Sequence, residues 1–454
     1  MRAQLLRLAN TLGRVTILDQ DASVAADRPS IKLEQRQPRR EAFLFWLAED
    51  IWSSPLGAGL AAAAGYTLLM ILFGQNGLGH GPSPYFSYLA DGFLHGQLAA
   101  TPMPFDALDL INYRGQLYLY WPPFPALLFL PLVAAFGPGV SDAPLSIAMG
   151  CLNVGLVSWL LSTLDHLGVI ELPRDKRAWL TAFFAFGTVQ VAVAPHPHAA
   201  YFTQLVGFGF LIAAYLAALR LHGARAALLA GILAACAFLS RNPVLLSGFW
   251  IAWYLIREQK GRRPEDLLRI VMLGLLPIGV AVVLLGLYNF LRFGSLFDAG
   301  LAYLNWNAFV QEDVARYGAF SLHYLSTNLF YTFVFFPYLA LFGQNAGHQF
   351  WMGGSLFLMS PVFLLALSGV ARAWRPYGWA LLASWLAGLL PALFWVSTGR
   401  VEFGPRLTLD VSVPLLMLAA MGASAVSTRL VARLSLASFV IYLPGTILLG
   451  VYWW

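Results

Sequence analysis

The chain has 454 residues, of which 59% are hydrophobic and only 11% are charged. Together with a mean hydropathy of +0.67, this composition predicts membrane-spanning helices and excludes an ordinary water-soluble core. The net charge is +6, but the basic residues form short clusters between apolar runs. That pattern is typical of cytoplasmic loops and excludes a nucleic-acid-binding surface. Both cysteines fall inside apolar runs, so neither a disulfide framework nor a cysteine metal site is expected.

Residues 1–54 form a polar arm with eight Lys and Arg and seven Asp and Glu. The first apolar run begins near Pro55, too late for a cleaved signal peptide, so we expect it to remain as a membrane anchor. Within the arm, apolar residues of the stretch 40–52 recur at helical spacing, which predicts an amphipathic helix at the membrane interface. We therefore expect a cytoplasmic arm, 1–54, followed by one transmembrane domain, 55–454.

Eleven apolar runs are candidate membrane spans, which predicts an all-α, polytopic transmembrane helix bundle. The runs are 55–74, 144–164, 179–194, 203–221, 226–239, 244–256, 268–289, 354–371, 378–397, 411–427 and 436–453. With the N-terminus in the cytoplasm, all but six of the 28 Lys and Arg residues fall on the cytoplasmic side, as the positive-inside rule requires. The six exceptions are all arginines, namely Arg114, Arg241, Arg292, Arg316, Arg400 and Arg406.

Two further apolar stretches, 123–137 and 328–343, are not counted as spans. The first holds three prolines and is too short to cross a hydrocarbon core of about 30 Å. If it crossed, the basic loops after it would exchange sides and violate the charge rule. We therefore expect both stretches to be juxtamembrane helices within two long external loops, 75–143 and 290–353.

The turn 240–243 connects two of the shortest candidate spans, 226–239 and 244–256. Short spans predict that this turn lies below the membrane surface, which holds Arg241 at membrane depth. An ionisable side chain at that depth is costly unless it faces a cavity or a partner, so Arg241 is a functional candidate. The alternative is that the Arg241 side chain extends to the membrane interface and has no functional role.

The external segments carry acids together with arginines and no lysine. The acids are Asp91, Asp106, Asp109, Asp142, Asp298, Glu312, Asp313, Glu402 and Asp410. The planar guanidinium group binds phosphate oxygens in a bidentate manner and stays charged in a poorly hydrated site. This pattern favours a pyrophosphate or phosphodiester ligand, and the alternative is a set of local ion pairs between arginines and carboxylates.

Two of these aspartates are candidates for a general base. Asp91 lies in the segment 84–98, which has the pattern of an amphipathic surface helix at the mouth of the bundle. A carboxylate beside apolar walls can have a raised pKa and accept a proton from a hydroxyl group. Asp109 lies in the segment 105–125, where tyrosine and tryptophan are dense, and such rings suit membrane interfaces and the apolar faces of sugars.

Histidine provides a weaker signal for a metal site. Six histidines are external, namely His80, His95, His196, His198, His323 and His348. The segment 195–198 separates two of them by two residues, a poor spacing for one helical face, so zinc is not expected. A divalent cation at the candidate site stays an open alternative.

Five motifs occur in a characteristic order. They are HGPSPYFSYLADGFLHGQL from residue 80, YRGQLYLYWPPFPALLFLPLVAAFG from residue 113, AFLSRNPVLL from residue 237, YNFLRFGSLFDAG from residue 288 and FGPRLTLDVSVPLL from residue 403. In this order the chain resembles bacterial GT-C-type glycosyltransferases, the polytopic enzymes related to protein mannosyltransferases. The resemblance covers roughly residues 80–415.

This resemblance implies transfer of a sugar from a polyprenyl-phosphate donor to an acceptor hydroxyl at the extracytoplasmic face of the bacterial cytoplasmic membrane, with inversion and without a nucleotide cofactor. It implies Asp91 as the catalytic base and, as donor phosphate ligands, Arg241, Arg292 and Arg406. Further substrate-binding candidates are His95, Tyr113, Tyr118 and His198. Many relatives carry an Asp-Glu pair where this chain has Asp91 and Gly92, which leaves the base open between Asp91 and Asp109.

Two other functions are compatible with the same sequence features. A transporter or flippase of lipid-linked sugars would also need many helices and external arginines, but no internal repeat and no acids inside the spans are found. A polymerase or ligase of lipid-linked glycans would use the same donor chemistry. The identities of the sugar and the acceptor, whether a glycan, a lipid or a protein, are not determined by the sequence.

Overall fold

The computed structural model describes residues 49–74, 83–100, 102–103, 108–259, 261, 263–342, 350–396 and 402–453. Within these residues the chain is mostly helical, and eight helices are long and apolar enough to cross a membrane. They are Pro55–Leu72, Ala143–His166, Ala199–Arg220, Gly223–Ser240, Pro264–Phe293, Pro376–Phe394, Arg406–Ala423 and Thr428–Tyr452. The expected helical membrane fold is confirmed at this level.

The elements are numbered in chain order. Helices of the first half are α1 (Pro55–Leu72), α2 (Tyr85–Leu94), α3 (Phe124–Phe136), α4 (Ala143–His166), α5 (Arg174–Phe186), α6 (Gln190–Val193), α7 (Ala199–Arg220) and α8 (Gly223–Ser240). Those of the second half are α9 (Phe249–Arg257), α10 (Pro264–Phe293), α11 (Ala308–Tyr317), α12 (Leu325–Phe333), α13 (Pro337–Ala340), α14 (Leu356–Met359), α15 (Leu365–Ala373), α16 (Trp379–Phe394), α17 (Ser412–Ala423) and α18 (Thr428–Trp453). The strands are β1 (Leu110–Tyr113), β2 (Gln116–Leu119), β3 (Met352–Gly353) and β4 (Glu402–Phe403). Short 3-10 segments cover Asn242–Gly248, Leu301–Tyr303, Leu322–Tyr324, Pro361–Leu364 and Arg406–Val411.

Three of the eleven expected spans are interrupted. The run 179–194 breaks at Gly187, between α5 and α6, and the run 244–256 is a 3-10 segment followed by α9. The run 354–371 is divided among α14, a 3-10 segment that begins at Pro361, and α15. Proline has no backbone N–H to continue a helix, and glycine favours its end, which accounts for two of these breaks. The eleven expected spans therefore become eight continuous helices and three interrupted segments.

The helices differ greatly in burial. In α7 and in Arg406–Ala423, 89% of the apolar window is buried, whereas in α10 only 11% is. Close packing at the centre depends on glycine: a Cβ on Gly369 would lie 1.9 Å from the backbone oxygen of Leu418, and one on Gly422 would lie 1.9 Å from that of Leu365. Small residues at helix contacts are the usual means of bringing membrane helices together.

The segments expected to form external loops hold short helices and two small sheets, and the sheets were not predicted from the sequence. Helix α3 has 13 residues, about 20 Å at 1.5 Å per residue, and is too short to span a membrane. The stretch 328–343 is likewise divided between α12 and α13. Strands β1 and β2 form an antiparallel hairpin, and Ile111 of β1 also bridges to Leu304. The parallel pair β3–β4 places Met352 opposite Glu402.

The expected arm 1–54 lies almost entirely outside the described residues. Residues 49–53, at the end of the predicted amphipathic stretch, are helical. Ser54 is the N-cap of α1, and its hydroxyl accepts a hydrogen bond from the backbone N–H of Gly57 at 3.3 Å. Pro55 is the first residue of α1, a position where the missing N–H costs nothing.

Candidate functional site

A cavity of about 270 Å³ lies where the end of α8, α16 and the 3-10 segment Arg406–Val411 meet. Its charged and amide side chains are Arg241, Asn242, Arg406 and Asp410. Its aromatic side chains are Tyr120, Trp121, Phe320 and Trp395. The cavity therefore combines anion-binding guanidinium groups with flat apolar rings, and two of the three arginines proposed from the sequence contribute to it.

Arg241 is held by a buried carboxylate. It follows the last residue of α8, where its extended backbone (φ −158°) directs the chain into the turn. Its Nε donates to Oδ2 of Asp410 at 2.6 Å, and the two side chains are 14% and 4% exposed. The pair joins α8 to the segment that precedes α17. The expected depth of Arg241 is therefore accompanied by a compensating carboxylate.

The backbone at Asp410 is positioned by close packing. Its carbonyl oxygen accepts a hydrogen bond from the Ser247 hydroxyl at 2.8 Å, and the carbonyl of Ser247 accepts one from the Tyr215 hydroxyl at 2.6 Å. Helix α16 approaches this point at Gly388, where a Cβ would lie 2.1 Å from the Ser247 Oγ. Glycine is thus needed for α16 to reach the cavity.

Arg406, like Arg241, contacts a buried acidic side chain through its Nε. Its Nε donates to Oε2 of Glu402 at 2.7 Å, and its Nη1 donates to Oε1 of Gln204 at 3.2 Å. Gln204 also donates through Nε2 to the backbone oxygen of Arg406 at 3.0 Å. The guanidinium lies over the ring of Tyr201, 5.1 Å from its centroid. Burial raises the pKa of the Glu402 carboxyl to about 8, although Arg406 opposes this rise.

Both arginines retain nitrogen atoms that can bind a ligand. Among the described residues, Arg241 makes its side-chain hydrogen bond through Nε, and Arg406 makes its own through Nε and Nη1. The terminal nitrogens of Arg241 and Nη2 of Arg406 therefore have no protein hydrogen-bond acceptor in this part of the chain. Both residues line the cavity. Buried acidic side chains thus hold two guanidinium groups at one cavity, an arrangement suited to an oxyanion.

Asp109 is close enough to this cluster to interact with it electrostatically. Burial raises the pKa of the Asp109 carboxyl, and the positive charge of Arg406 opposes that rise. Burial also raises the pKa of Tyr120, with a further contribution from Asp109 and opposing ones from Arg406 and Arg241. Asp109 has a left-handed backbone (φ 59°), and its N–H donates to the backbone oxygen of Asn305 at 3.2 Å. The structure therefore brings Asp109 to the arginine cluster.

Asp91 has different surroundings. It lies in α2, with its side chain 15% exposed, and Oδ1 is 3.7 Å from Nδ1 of His95. The same ring nitrogen of His95 lies 2.9 Å from the backbone oxygen of Asp91, and the Asp91 carboxylate contributes to raising the pKa of Tyr88, after burial. Neither Asp91 nor His95 is among the residues that line the cavity. Asp109 does not line the cavity either; of the two candidate bases, it is the one whose pKa is influenced by the charge of Arg406.

Arg292 holds the hairpin and does not line the cavity. Its Nη1 donates to the backbone oxygen of Leu119 at 2.7 Å, and its Nη2 donates to Oδ1 of Asn289 at 2.8 Å. Aromatic rings surround the guanidinium, with the centroid of Tyr288 at 3.9 Å and that of Phe293 at 4.6 Å. These contacts occupy the Arg292 side chain, so the geometry favours a structural role for it, and its expected role as a phosphate ligand stays a prediction.

Tyr113 and Tyr118 belong to the same hairpin cluster as Arg292. Tyr113 packs edge-on against Phe293 at 5.5 Å and lies 4.7 Å from the ring of Tyr303. Tyr118 also packs against Phe293 at 5.5 Å. The described cavity lining includes neither tyrosine. The neighbouring Tyr120 packs against the same cluster and also lines the cavity.

His198 lies near the arginines but has a capping role. Its Nδ1 accepts the backbone N–H of Ala200 at 3.1 Å at the start of α7. Burial, with a contribution from the charge of Arg406, lowers the pKa of His198 to about 3, so the ring is neutral. The described residues contain no group of three or more His, Cys, Asp or Glu side chains that could hold a metal ion.

Several residues of the site were not selected from the sequence. From the sequence, Glu402 and Asp410 are counted only as external acids and Trp121 only as part of an aromatic segment, and Gln204, Phe320 and Trp395 are not considered. One signal was present: Glu402 and Arg406 are only four residues apart, although Glu402 lies in β4 and not in a helix. Four residues predicted to be external lie outside the described residues, namely His80, Asp106, His348 and Arg400.

Comparison with known proteins identifies no relative of this chain. No family model matches the chain, and neither the curated proteins nor the solved structures include a match. The function of this protein is therefore inferred from the residues of its cavity and their arrangement.

Proposed function

We propose that this protein is a membrane glycosyltransferase that moves a sugar from a polyprenyl-phosphate donor to an acceptor hydroxyl. The observation that supports this proposal most directly is the pair of arginines, Arg241 and Arg406, held by buried carboxylates and directed into one cavity. Asp109 lies within electrostatic range of the same cavity. The ordered motifs that resemble GT-C-type enzymes support the same conclusion.

The donor phosphate binds to the unoccupied guanidinium nitrogens of Arg241 and Arg406. Hydrogen bonds between a guanidinium and a phosphate are charge-assisted, and they are stronger in a site with little water. As the bond between the anomeric carbon and the phosphate oxygen breaks, its electron pair stays on the phosphate. The arginines stabilise the negative charge that develops there, so no nucleotide cofactor is required.

Asp109 is the general base of this reaction. The acceptor oxygen forms a bond to the anomeric carbon, and its proton passes to the Asp109 carboxylate. Burial raises the pKa of this carboxyl above that of an ordinary aspartate, which makes it a stronger base. Because attack and departure take place on opposite faces of the sugar, a single displacement inverts the anomeric centre.

The site lies at the extracytoplasmic face of the bacterial cytoplasmic membrane in this proposal. That orientation keeps the N-terminus and 22 of the 28 Lys and Arg residues in the cytoplasm. It requires the three interrupted segments to cross the membrane as well as the eight continuous helices.

The proposal is tested with Asp109→Asn in purified protein reconstituted into lipid nanodiscs. Radiolabelled polyprenyl-phosphate mannose, glucose and arabinose are offered with a membrane extract as the source of acceptor. Loss of the base lowers turnover by roughly a hundredfold or more, whereas donor binding is retained because the arginines are unchanged. Glu312→Gln, a substitution at an exposed external acid, is the matched control and retains full turnover.

Two results would contradict this assignment. If Asp91→Asn abolishes transfer and Asp109→Asn does not, the base is Asp91 and the described geometry does not represent the catalytic arrangement. If wild-type protein binds no polyprenyl-phosphate sugar and transfers none, the proposed activity itself is refuted.

A further inference from the structure

We propose that the acceptor is an oligosaccharide, bound by its apolar sugar faces on a wall formed by Trp306, Phe320 and Trp395. This proposal rests on the proposed function, since it names the acceptor class of the same site. Two members of this aromatic wall, Phe320 and Trp395, line the cavity. The third, Trp306, extends the aromatic surface, with its ring centroid 5.7 Å from that of Trp395.

The aromatic wall has a rigid support. The rings of Phe320 and Trp395 are 4.8 Å apart, and their backbones form an antiparallel bridge. On either side of this bridge, the N–H of Ser321 donates to the oxygen of Phe394, and the N–H of Val396 donates to the oxygen of Ala319, each at 2.9 Å. Three buried residues, Val310, Tyr324 and Val396, pack behind Trp306 and Trp395. A preformed surface of this kind costs little entropy on binding.

The aromatic wall adjoins the segment that carries the proposed base. The backbone oxygen of Asn305 accepts a hydrogen bond from the N–H of Asp109 at 3.2 Å, and the N–H of Asn305 donates to the backbone oxygen of Leu110 at 2.9 Å. Trp306 is the next residue in the chain. A sugar stacked on the wall is therefore adjacent to the segment that carries Asp109. In the proposed transfer, Asp109 accepts the proton of the acceptor hydroxyl.

The chemistry of the wall favours a neutral glycan over a peptide or a lipid. Phe320 is 55% exposed, and flat rings of this size match the C–H faces of pyranose rings. The three rings of the wall are uncharged and offer stacking surfaces, not ion pairs, to a ligand. The arginines of the cavity, in contrast, are committed to the donor phosphate. Donor and acceptor thus bind to chemically different parts of one space.

The test uses saturation-transfer difference NMR on wild-type protein in nanodiscs, with a panel of neutral linear hexasaccharides of glucose, mannose, xylose and N-acetylglucosamine. A peptide rich in serine and threonine is the comparison ligand. We expect at least one hexasaccharide to bind, and the affinity to fall about tenfold in Phe320→Ala, which removes a stacking surface, and by a smaller factor in Trp395→Phe, which reduces the area of one. Phe297→Ala is the control, because Phe297 is 95% exposed and belongs to neither the wall nor the cavity.

The outcomes separate this proposal from the proposed function. The proposal of an oligosaccharide acceptor is overturned if no hexasaccharide binds, or if neither wall variant weakens the binding. This holds even if sugar transfer to another acceptor is observed. Peptide binding that is lost in Phe320→Ala overturns it in favour of a protein acceptor. Wall-dependent hexasaccharide binding without any transfer refutes the enzyme activity and leaves the glycan site intact. Trp395→Phe keeps an aromatic ring and Phe320 is exposed, so both variants are expected to fold.

Discussion

Arg241 and Asp410, which are 169 residues apart in the chain, meet at 2.6 Å between Nε and Oδ2 and join the end of α8 to the segment before α17. The charges of this nearly buried pair compensate each other, and the remaining nitrogens of Arg241 are directed toward the cavity. Without a partner, the buried Arg241 charge would have no interaction to offset the free-energy cost of its desolvation. The aspartate therefore makes it possible for a guanidinium group to be present in this buried cavity.

The first prediction concerns this pair. Asp410→Ala is expected to lower the free energy of unfolding by about 3–5 kcal/mol, because it leaves the Arg241 charge buried without a partner. Thermal unfolding in nanodiscs measures the change. In the double variant Arg241→Met, Asp410→Leu, most of the stability returns, but donor binding is lost. A single Asp410→Ala variant as stable as wild type would show that the ion pair does not form.

The second prediction compares two arginines. Arg406→Ala is expected to weaken donor binding by roughly tenfold to a hundredfold, since it removes a charge-assisted hydrogen bond to the phosphate. Arg292→Ala is expected to leave donor affinity near the wild-type value and to reduce turnover, because Arg292 holds Leu119 and, through the chain, Tyr120. Equilibrium binding of a radiolabelled polyprenyl-phosphate sugar distinguishes them. Equal loss of donor affinity in both variants would place Arg292 in the phosphate site.

The third prediction is a pH dependence set by Glu402. Its pKa is raised to about 8 by burial, so the carboxyl is neutral below that pH and ionised above it. Ionisation adds a negative charge beside Arg406, which weakens phosphate binding. Donor affinity is therefore expected to decrease as the pH rises through about 8, and Glu402→Gln, which stays neutral, is expected to remove this decrease. An unchanged pH profile in Glu402→Gln would assign the titration to another group.

The fourth prediction concerns helix packing. Gly422→Ala places a Cβ 1.9 Å from the backbone oxygen of Leu365, so α15 and α17 must separate, and we expect a loss of several kcal/mol in stability or a failure to fold. The control is Gly279→Ala in α10, where a Cβ meets nothing within 4 Å. Alanine favours a helix over glycine by about 1 kcal/mol, so this variant is neutral or slightly more stable. Fluorescence-detected gel filtration after heating measures both.

Part of the site could be predicted from the sequence because its signal was local. Arg241 stood out as an arginine between two short apolar runs, and Arg406 as one of six arginines that the charge rule leaves outside the cytoplasm. Both line the cavity. Arg292 carried the same signal, yet it packs among aromatic rings behind the hairpin. Charge and side of the membrane were available in the sequence, whereas the direction of each side chain was not.

Hydropathy and charge alone determined that this chain is a helical membrane protein, because the bilayer requires long apolar helices and penalises charge wherever the residues lie in the fold. Tertiary structure decided that Asp410 accompanies Arg241 and that Asp109 comes within electrostatic range of Arg406. Those contacts join segments up to about 200 residues apart, as in the hydrogen bond between Gln204 and Arg406. Their geometry depends on the packing of glycines, prolines and rings among all the helices, for which a single sequence has no local pattern.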